Sequence, residues 1–409
     1  MDMQEGVTPV SLWFESVQGM ANGVRVHVGQ KAVFYPDQHR VEIEIWTPEG
    51  NEKKTIPIPE KYTEKPAVIR YLDKITDVPF TVIRNCQASG HPELDRDFKT
   101  IVTNCMLGLA VGDAMGVPYE FMRRDQAEAA MELEHMSAKG YYHHQPAGAW
   151  SDDTAMALAS MDSLTRAEGF DPEDMMSAFL DWYLRAAYTS TGETFGVGGT
   201  VNRALCSYMN GTPAMSCGRG GIRDNGNGSL MRIAPISLWL AYDKRLRDEE
   251  IQLISEASAI THSHEISKLG CLIYTDFLEA LIDGADANQA YDDVCGIAYG
   301  EYFSPAAIAA YGRILNGKLM ELPRHKLRES GYVVDTLEAA LWATLKTASY
   351  KDAIGEAIRL GYDTDTVAAV TGSLCGVLYG SEGIPQAWKE ELLRREYLET
   401  LCARFAAAL

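Results

Sequence analysis

The spacing of apolar and polar residues changes once along the chain. Between Val24 and about Ile58 the segments "VRVHV", "VEIEIW" and "KTIPI" place apolar residues at every second position, the period of strands with one buried face. "TPEGNEK", between the last two, predicts a hairpin turn. From Asp97 onward the pattern turns helical and alternation almost disappears, as in "DDTAMALASMDSL", "MMSAFLDWYL" and "LISEASAITHSHEISKLGCLIYTDFLEALI". Val367, Val370, Leu374 and Leu378 recur at helical spacing in "GYDTDTVAAVTGSLCGVLYG", which predicts a buried helix. The polar stretch "QASGHPELDRD", Gln87 to Asp97, reads as a linker. The expected organisation is mainly α: a small α+β module over residues 1–95, then an all-α domain over residues 96–409.

Composition narrows the function classes. A formal charge of −20 over 409 residues argues against general affinity for nucleic acid or anionic membrane. Residues 1–92 hold 12 acids and 10 bases, a net −2, so −18 belongs to the remainder. The start, Met-Asp-Met-Gln-Glu, lacks the basic region of a signal peptide, and no window is expected to reach the ~18 apolar residues of a membrane span. The eight cysteines are scattered without a C-x-x-C pair, as expected of core thiols in a reducing cytoplasm.

Candidate chemistry begins with Asp363, Thr364, Asp365 and Thr366, four oxygen-bearing side chains at the mouth of an apolar helix. One acid and one hydroxyl suffice to cap a first turn. A second acid adds repulsion, on the order of 4 kcal/mol at ~4 Å for an effective dielectric near 20. The same arrangement occurs in "WSDDTAMALASMDSL", where Ser151, Asp152, Asp153 and Thr154 crowd the front of another helix. Either both stretches are caps on unrelated helices, or they face each other and four carboxylates converge. Convergence requires cations, and an all-oxygen donor set favours Mg²⁺ or Mn²⁺ over zinc. "TFGVGGT" and "DNGNGSLMR" are too rich in glycine for helix interiors and suit backbone cradles for phosphate, with Asn227 and Ser229 adding polar groups. Acid clusters together with such loops suggest a nucleotide-like substrate.

"GLAVGDAMGVPYEF" (Gly108 to Phe121), "WSDDTAMAL", "NGNGSLMR", "THSHE" (Thr261 to Glu265) and "GYDTDTVAAVTGSLCGVLYG" occur in one order, and in that order they resemble the ADP-ribosylglycohydrolases. The resemblance runs from about residue 97 to the C-terminus. It implies an all-α fold with two Mg²⁺ ions at the base of a cleft, held by Ser151, Asp152 and Asp153 and by Asp363, Asp365 and Thr366. It also implies that Gly198, Gly199, Thr200, Asn227, Gly228 and Ser229 line the diphosphate and distal ribose, and that His262 lies near the substrate. Glu120 matches a glutamate on a mobile loop beside the metals. Tyr362 departs from the pattern, which often has glycine there, and the basic residue often found near Asn104 is absent.

The implied reaction is hydrolysis of the bond between C1″ of ADP-ribose and a protein side chain, arginine above other linkages, with Glu120 or Asp153 as general base. The partner is then an ADP-ribosylated protein. Some bacterial members of the family are immunity proteins, so residues 1–95, with Trp13 and Phe14, are a candidate surface for an ADP-ribosyltransferase toxin. Two other readings compete: a non-catalytic protein that binds ADP-ribose or blocks a toxin, and a metal-dependent phosphohydrolase. His143–His144 read as a surface loop, and Trp150 and Tyr188 as core.

Overall fold

The structure, a computed structural model, describes residues 98–409 apart from Lys244, and before them the backbone of seven strands between Val10 and Arg84. The chain divides into two compact units, Met1–Asp95 and Arg96–Leu409.

The strands of the first unit are β1 (Val10–Ser16), β2 (Met20–Ala21), β3 (Val24–Arg25), β4 (Val28–Tyr35), β5 (Arg40–Thr47), β6 (Gly50–Pro57) and β7 (Phe80–Arg84). Five of them form an antiparallel sheet in the order β6-β5-β4-β1-β7, while β2 and β3 pair with each other. Thr47 faces Gly50 across a tight hairpin at the "TPEGNEK" turn. The expected linker at Gln87–Asp97 and the side chains of Trp13 and Phe14 lie outside the described residues.

The second unit is mainly helical. Its described residues contain no strand beyond two isolated bridges, Arg219 with His262 and Gly226 with Tyr332. The helices that position the site are α1 (Phe98–Gly116), α2 (Asp152–Ala167), α3 (Gly199–Met209), α4 (Arg247–Ala259), α5 (Glu265–Ile282), α6 (Val333–Lys346), α7 (Tyr350–Arg359) and α8 (Thr364–Gly383), with further helices between and after them. The last turn of α8 is kinked at Gly380, where φ is 69°.

α1 and α8 form the centre. Gly108, Gly112 and Gly116 recur every fourth residue, and so form one stripe along α1. A Cβ on Gly108 would stand 2.2 Å from the Gly372 carbonyl oxygen, one on Gly112 2.1 Å from that of Ala368, and one on Gly116 2.4 Å from that of Thr364. The two backbones therefore touch along the crossing. Tyr350 of α7 donates to the Gly108 carbonyl at 2.6 Å, and Thr364 donates to that of Gly116 at 2.8 Å. Val367, Val370 and Leu374 are buried as their spacing predicts.

Two expectations need correction. Phe98–Tyr119 is long and apolar enough to cross a membrane by composition, with a mean hydropathy of 1.4, although no such window was expected. That window is 89% buried within the fold, and a helix enclosed by other helices needs apolar residues on every side. The stretch from Leu253 to Ile282 is two helices, broken at Thr261–His264. His264 caps the second by accepting from the Ile266 N–H at 3.2 Å, so His262 lies in a turn. Trp150 and Tyr188 are core, the indole N–H donating to the Tyr188 carbonyl at 3.0 Å, and His143 and His144 are exposed.

Candidate metal centre

The α1–α8 crossing delivers three segments to one place. α1 carries Asp113 on its last turn, and the loop after it carries Glu120. α8 begins at the crossing with Asp363, Asp365 and Thr366. Asp113 then recruits the third segment: its carboxylate accepts from the Ser151 N–H at 3.0 Å, the Thr154 N–H at 3.0 Å and the Thr154 hydroxyl at 2.7 Å. A buried acid on α1 thus caps α2, holding Asp152 and Asp153 opposite α8.

The two acid stretches do face each other. Asp113, Asp153 and Asp365 each offer an oxygen within 4.8 Å of the other two, and so do Glu120, Asp363 and Asp365. Thr366 donates to Asp153 at 3.4 Å across the gap. Capping accounts for only part of the polar groups. Ser151 does cap α2, accepting from the Asp153 N–H at 3.3 Å while its hydroxyl donates to Asp153 Oδ2 at 2.9 Å. Asp363, at the N-cap of α8, makes no capping bond; its Oδ2 accepts from the Asn227 amide instead. The carboxylate of Asp152 abuts Gly196, whose φ is +81° and where a Cβ would stand 2.3 Å from Asp152 Oδ1.

The electrostatics are those of a site built for cations. Burial pushes Asp152, Asp153 and Asp365 well above the usual carboxylate range, and neighbouring acids push further. Asp363 is raised by burial as well. Glu120 rises to about 9 through burial and then the charges of Asp363 and Asp152. Asp113 rises to about 6 through burial, against the opposing effect of its hydrogen bonds from Thr154 and Ser151. Among the described residues no lysine or arginine forms an ion pair with these six. Asp153 Oδ1 and Glu120 Oε2 are buried without a hydrogen-bond partner. Orphaned carboxylate oxygens in an all-oxygen cluster fit divalent ions such as Mg²⁺.

A pH dependence follows. At these raised carboxyls the folded, metal-free protein binds more protons than the unfolded chain, so their contribution to stability is fully present below the ordinary carboxyl range. That stability is lost as pH rises through about 6 for Asp113 and about 9 for Glu120. Asp113 alone, moved from 3.8 to about 6, corresponds to about 3 kcal/mol. In EDTA the melting temperature is expected to fall steeply between pH 5 and pH 9 (roughly the span of these shifts), and Mg²⁺ to flatten the fall. Parallel traces with and without Mg²⁺ would show that the acids do not share an ion.

The glycine loops border this centre. Gly198 caps α3 with open space around it, and Gly199 and Thr200 form the first turn. Asn227 joins its loop to the metal centre, donating to Asp363 and, at 2.9 Å, to Thr336; its own N–H donates to the Gly331 carbonyl at 3.0 Å. Gly228 is wedged, since a Cβ there would stand 2.9 Å from both His262 and Val201. Two candidate ligand residues face inward. The Ser229 hydroxyl is fully buried and accepts from Ser258 at 3.0 Å. His262 is buried beneath Gly228, bonded to the Thr261 hydroxyl at 2.9 Å, and burial and then Arg232 push its pKa down to about 3.

Sequence reasoning gave no role to Asp113. The one available signal was a single acid within the otherwise apolar "MLGLAVGDAMGV".

These features define a helical protein whose oxygen-only acidic centre, flanked by glycine loops, is suited to divalent cations. Residues 94–409 match the ADP-ribosylglycohydrolase family, and the chain belongs to it. The protein is a hydrolase of that family. It is 34% identical over 72% of its length to the ADP-ribosylarginine hydrolase Tri1 of Serratia proteamaculans (strain 568), covering 76% of that protein. To the ADP-ribosylarginine hydrolase Tri1 of Pseudomonas putida (strain GB-1) it is 31% identical over 78% of its length and 80% of the relative's. A solved structure described as an ADP-ribosylglycohydrolase-related protein complex superposes with a TM-score of 0.62 at 30% identity, spanning 76% of this chain and 99% of the other.

Proposed function

We propose that the protein hydrolyses the bond between C1″ of ADP-ribose and an arginine side chain of a modified protein, with two Mg²⁺ ions. The observation that carries this reading is the convergence of Asp113, Glu120, Asp153, Asp363 and Asp365 on one centre, with two carboxylate oxygens lacking any partner. The arginine linkage is taken from the two hydrolases whose names state it. Ser151, Asp152, Asp153, Asp363, Asp365 and Thr366 are the proposed ligands. When bound, Mg²⁺ would orient the ribose hydroxyls, lower the pKa of a water molecule and offset the acid charge.

The remaining work falls to the chain's own groups. The open N-terminus of α3 at Gly198, Gly199 and Thr200 is suited to the diphosphate, with the loop of Asn227, Gly228 and Ser229 beside it. Asp153 starts a helix and has Ser151 and Thr366 on its other oxygen, which suits a fixed ligand. Glu120 lies on an irregular segment with Oε2 free, which suits the group that takes the proton from the attacking water. His262 and the Ser229 side chain hold the loop from beneath.

The test is release of free ADP-ribose from arginine-ADP-ribosylated protein. It is expected with Mg²⁺ and not with EDTA; equal release in both would overturn the metal assignment. We further propose two domains, 1–95 and 96–409, acting in the cytoplasm, with the first binding an ADP-ribosyltransferase toxin. Capture by the full-length protein of a transferase encoded beside it would support that role, and failure to capture it would count against it.

A further inference from the structure

The exposed aromatic residues are unevenly placed. Phe121, Tyr141 and Tyr362 are 47%, 64% and 46% exposed, yet Phe121 meets both of the others. The Phe121 ring lies 4.9 Å from Tyr141 and 6.1 Å from Tyr362, edge to face in both cases, and Tyr142 packs behind Tyr141 at 4.9 Å.

The backbone that carries them is unusual as well. Phe121 and Tyr362 both have φ of 63°, a conformation that bulky side chains rarely adopt. They are fastened together across 241 positions of sequence. The Phe121 N–H donates to the Tyr362 carbonyl at 2.6 Å, and the Tyr362 N–H donates to the Met122 carbonyl at 2.7 Å. A rare conformation held at two positions by reciprocal bonds points to a use for the rings it presents.

Their place in the chain suggests the use. Phe121 follows Glu120 and Tyr362 precedes Asp363, and those two acids belong to one carboxylate group of the metal centre. Adjacent Cα atoms are about 3.8 Å apart, so the backbone that carries two of the rings adjoins the acids proposed to bracket the scissile bond. The adenine is separated from C1″ by two riboses and the diphosphate, for which the glycine loops are suited. What lies next to C1″ on its other side is the leaving group. A guanidinium is planar and cationic and stacks on aromatic faces, and the adjacent acids add attraction. A serine hydroxyl offers neither property.

We propose that Phe121, Tyr141 and Tyr362 form the leaving-group subsite, aromatic faces that receive the guanidinium of the modified arginine and favour it over a hydroxyl-linked side chain. This rests on the arginine reading above. The test compares Phe121→Leu and Tyr362→Leu with the ring-preserving Phe121→Tyr and Tyr362→Phe, measuring kcat and KM on an arginine-ADP-ribosylated peptide and the affinity for free ADP-ribose. Each leucine variant is expected to lose about tenfold in kcat/KM, mainly through KM. Affinity for ADP-ribose should stay unchanged, and the ring-preserving variants should lose much less kcat/KM than the leucine variants at the same positions. Leucine variants as active as wild type would overturn the subsite. So would a matching loss of ADP-ribose affinity, which would place the nucleotide on the rings. A wild type inactive on the arginine-linked peptide would overturn the proposed function itself, and the subsite with it.

Discussion

Asp153→Asn is expected to abolish ADP-ribose release while making the metal-free protein more stable. Losing one proposed ligand from the centre should remove several kcal/mol of transition-state stabilisation, roughly a 10³-fold fall in kcat/KM. The stability effect has the opposite sign for a related reason. Asp153 is buried, its pKa is pushed up by burial and by Asp365, Asp113 and Asp363, and its Oδ1 has no partner. The amide has the same shape and no charge, and it can still accept from Ser151 and Thr366. In EDTA at about pH 8, above the ordinary carboxyl range, the variant should melt a few degrees higher than wild type, about 1.5 °C for each kcal/mol in a unit of this size. With Mg²⁺ present the order should reverse, because wild type alone gains the full binding energy. Initial rates and melting curves with and without EDTA measure both effects. An inactive variant that is also less stable in EDTA would make Asp153 a structural anchor.

This opposition between stability and use explains what could be read from the chain. Both acid stretches were legible because each is local: consecutive acids at a helix mouth exceed what a cap requires, and that excess is visible without coordinates. Capping and metal binding remained open readings because Ser151 in fact does cap, whereas Asp363 does not. The glycine loops were legible for the same local reason. The direction of side chains within them was not. Ser229 points into the core because Ser258, from the end of α4, is there to receive it, while the direction of His262 follows from the break after that helix, which the helical pattern concealed.

What escaped sequence reasoning is what depends on contacts between distant segments. Asp113 looks like an isolated acid in an apolar helix until Ser151 and Thr154 are seen to donate to it. Phe121 and Tyr362 look like unremarkable aromatics, and Tyr362 like a mere departure from a glycine position. Its φ of 63° shows why glycine suits that place and why a tyrosine there must be held by its neighbours. The helical run through Thr261–His264 hid a break because alanine and serine carry the pattern across it. His264, as a cap, was the available sign.

Gly112→Val tests the packing that assembles the site. A Cβ at this position would stand 2.1 Å from the Ala368 carbonyl oxygen and 2.7 Å from its carbon, both backbone atoms of α8. No rotamer change relieves such a contact, so α1 and α8 must move apart along the whole stripe from Gly108 to Gly116. Overpacking of this kind costs typically 1–3 kcal/mol, and a contact made on backbone belongs at the upper end, about 3 kcal/mol or more. The melting temperature should fall by roughly 5 °C, at about 1.5 °C per kcal/mol for a unit the size of Arg96–Leu409. The change also reaches the chemistry, since Asp113 is the next residue and its bonds to Ser151 and Thr154 set the position of Asp152 and Asp153 opposite α8. Separating the helices therefore widens the gap between the two acid stretches, and the apparent affinity for Mg²⁺ should weaken at temperatures where the variant is still folded. A control at Gly211, where a Cβ would meet nothing within 4 Å, should leave Mg²⁺ affinity untouched even though its φ of +86° strains any other residue. Equal loss of Mg²⁺ affinity in both variants would mean that general destabilisation, and not the helix crossing, governs the metal centre. Loss confined to Gly112→Val would show that the glycine stripe fixes the spacing of the acids and is part of the site it supports.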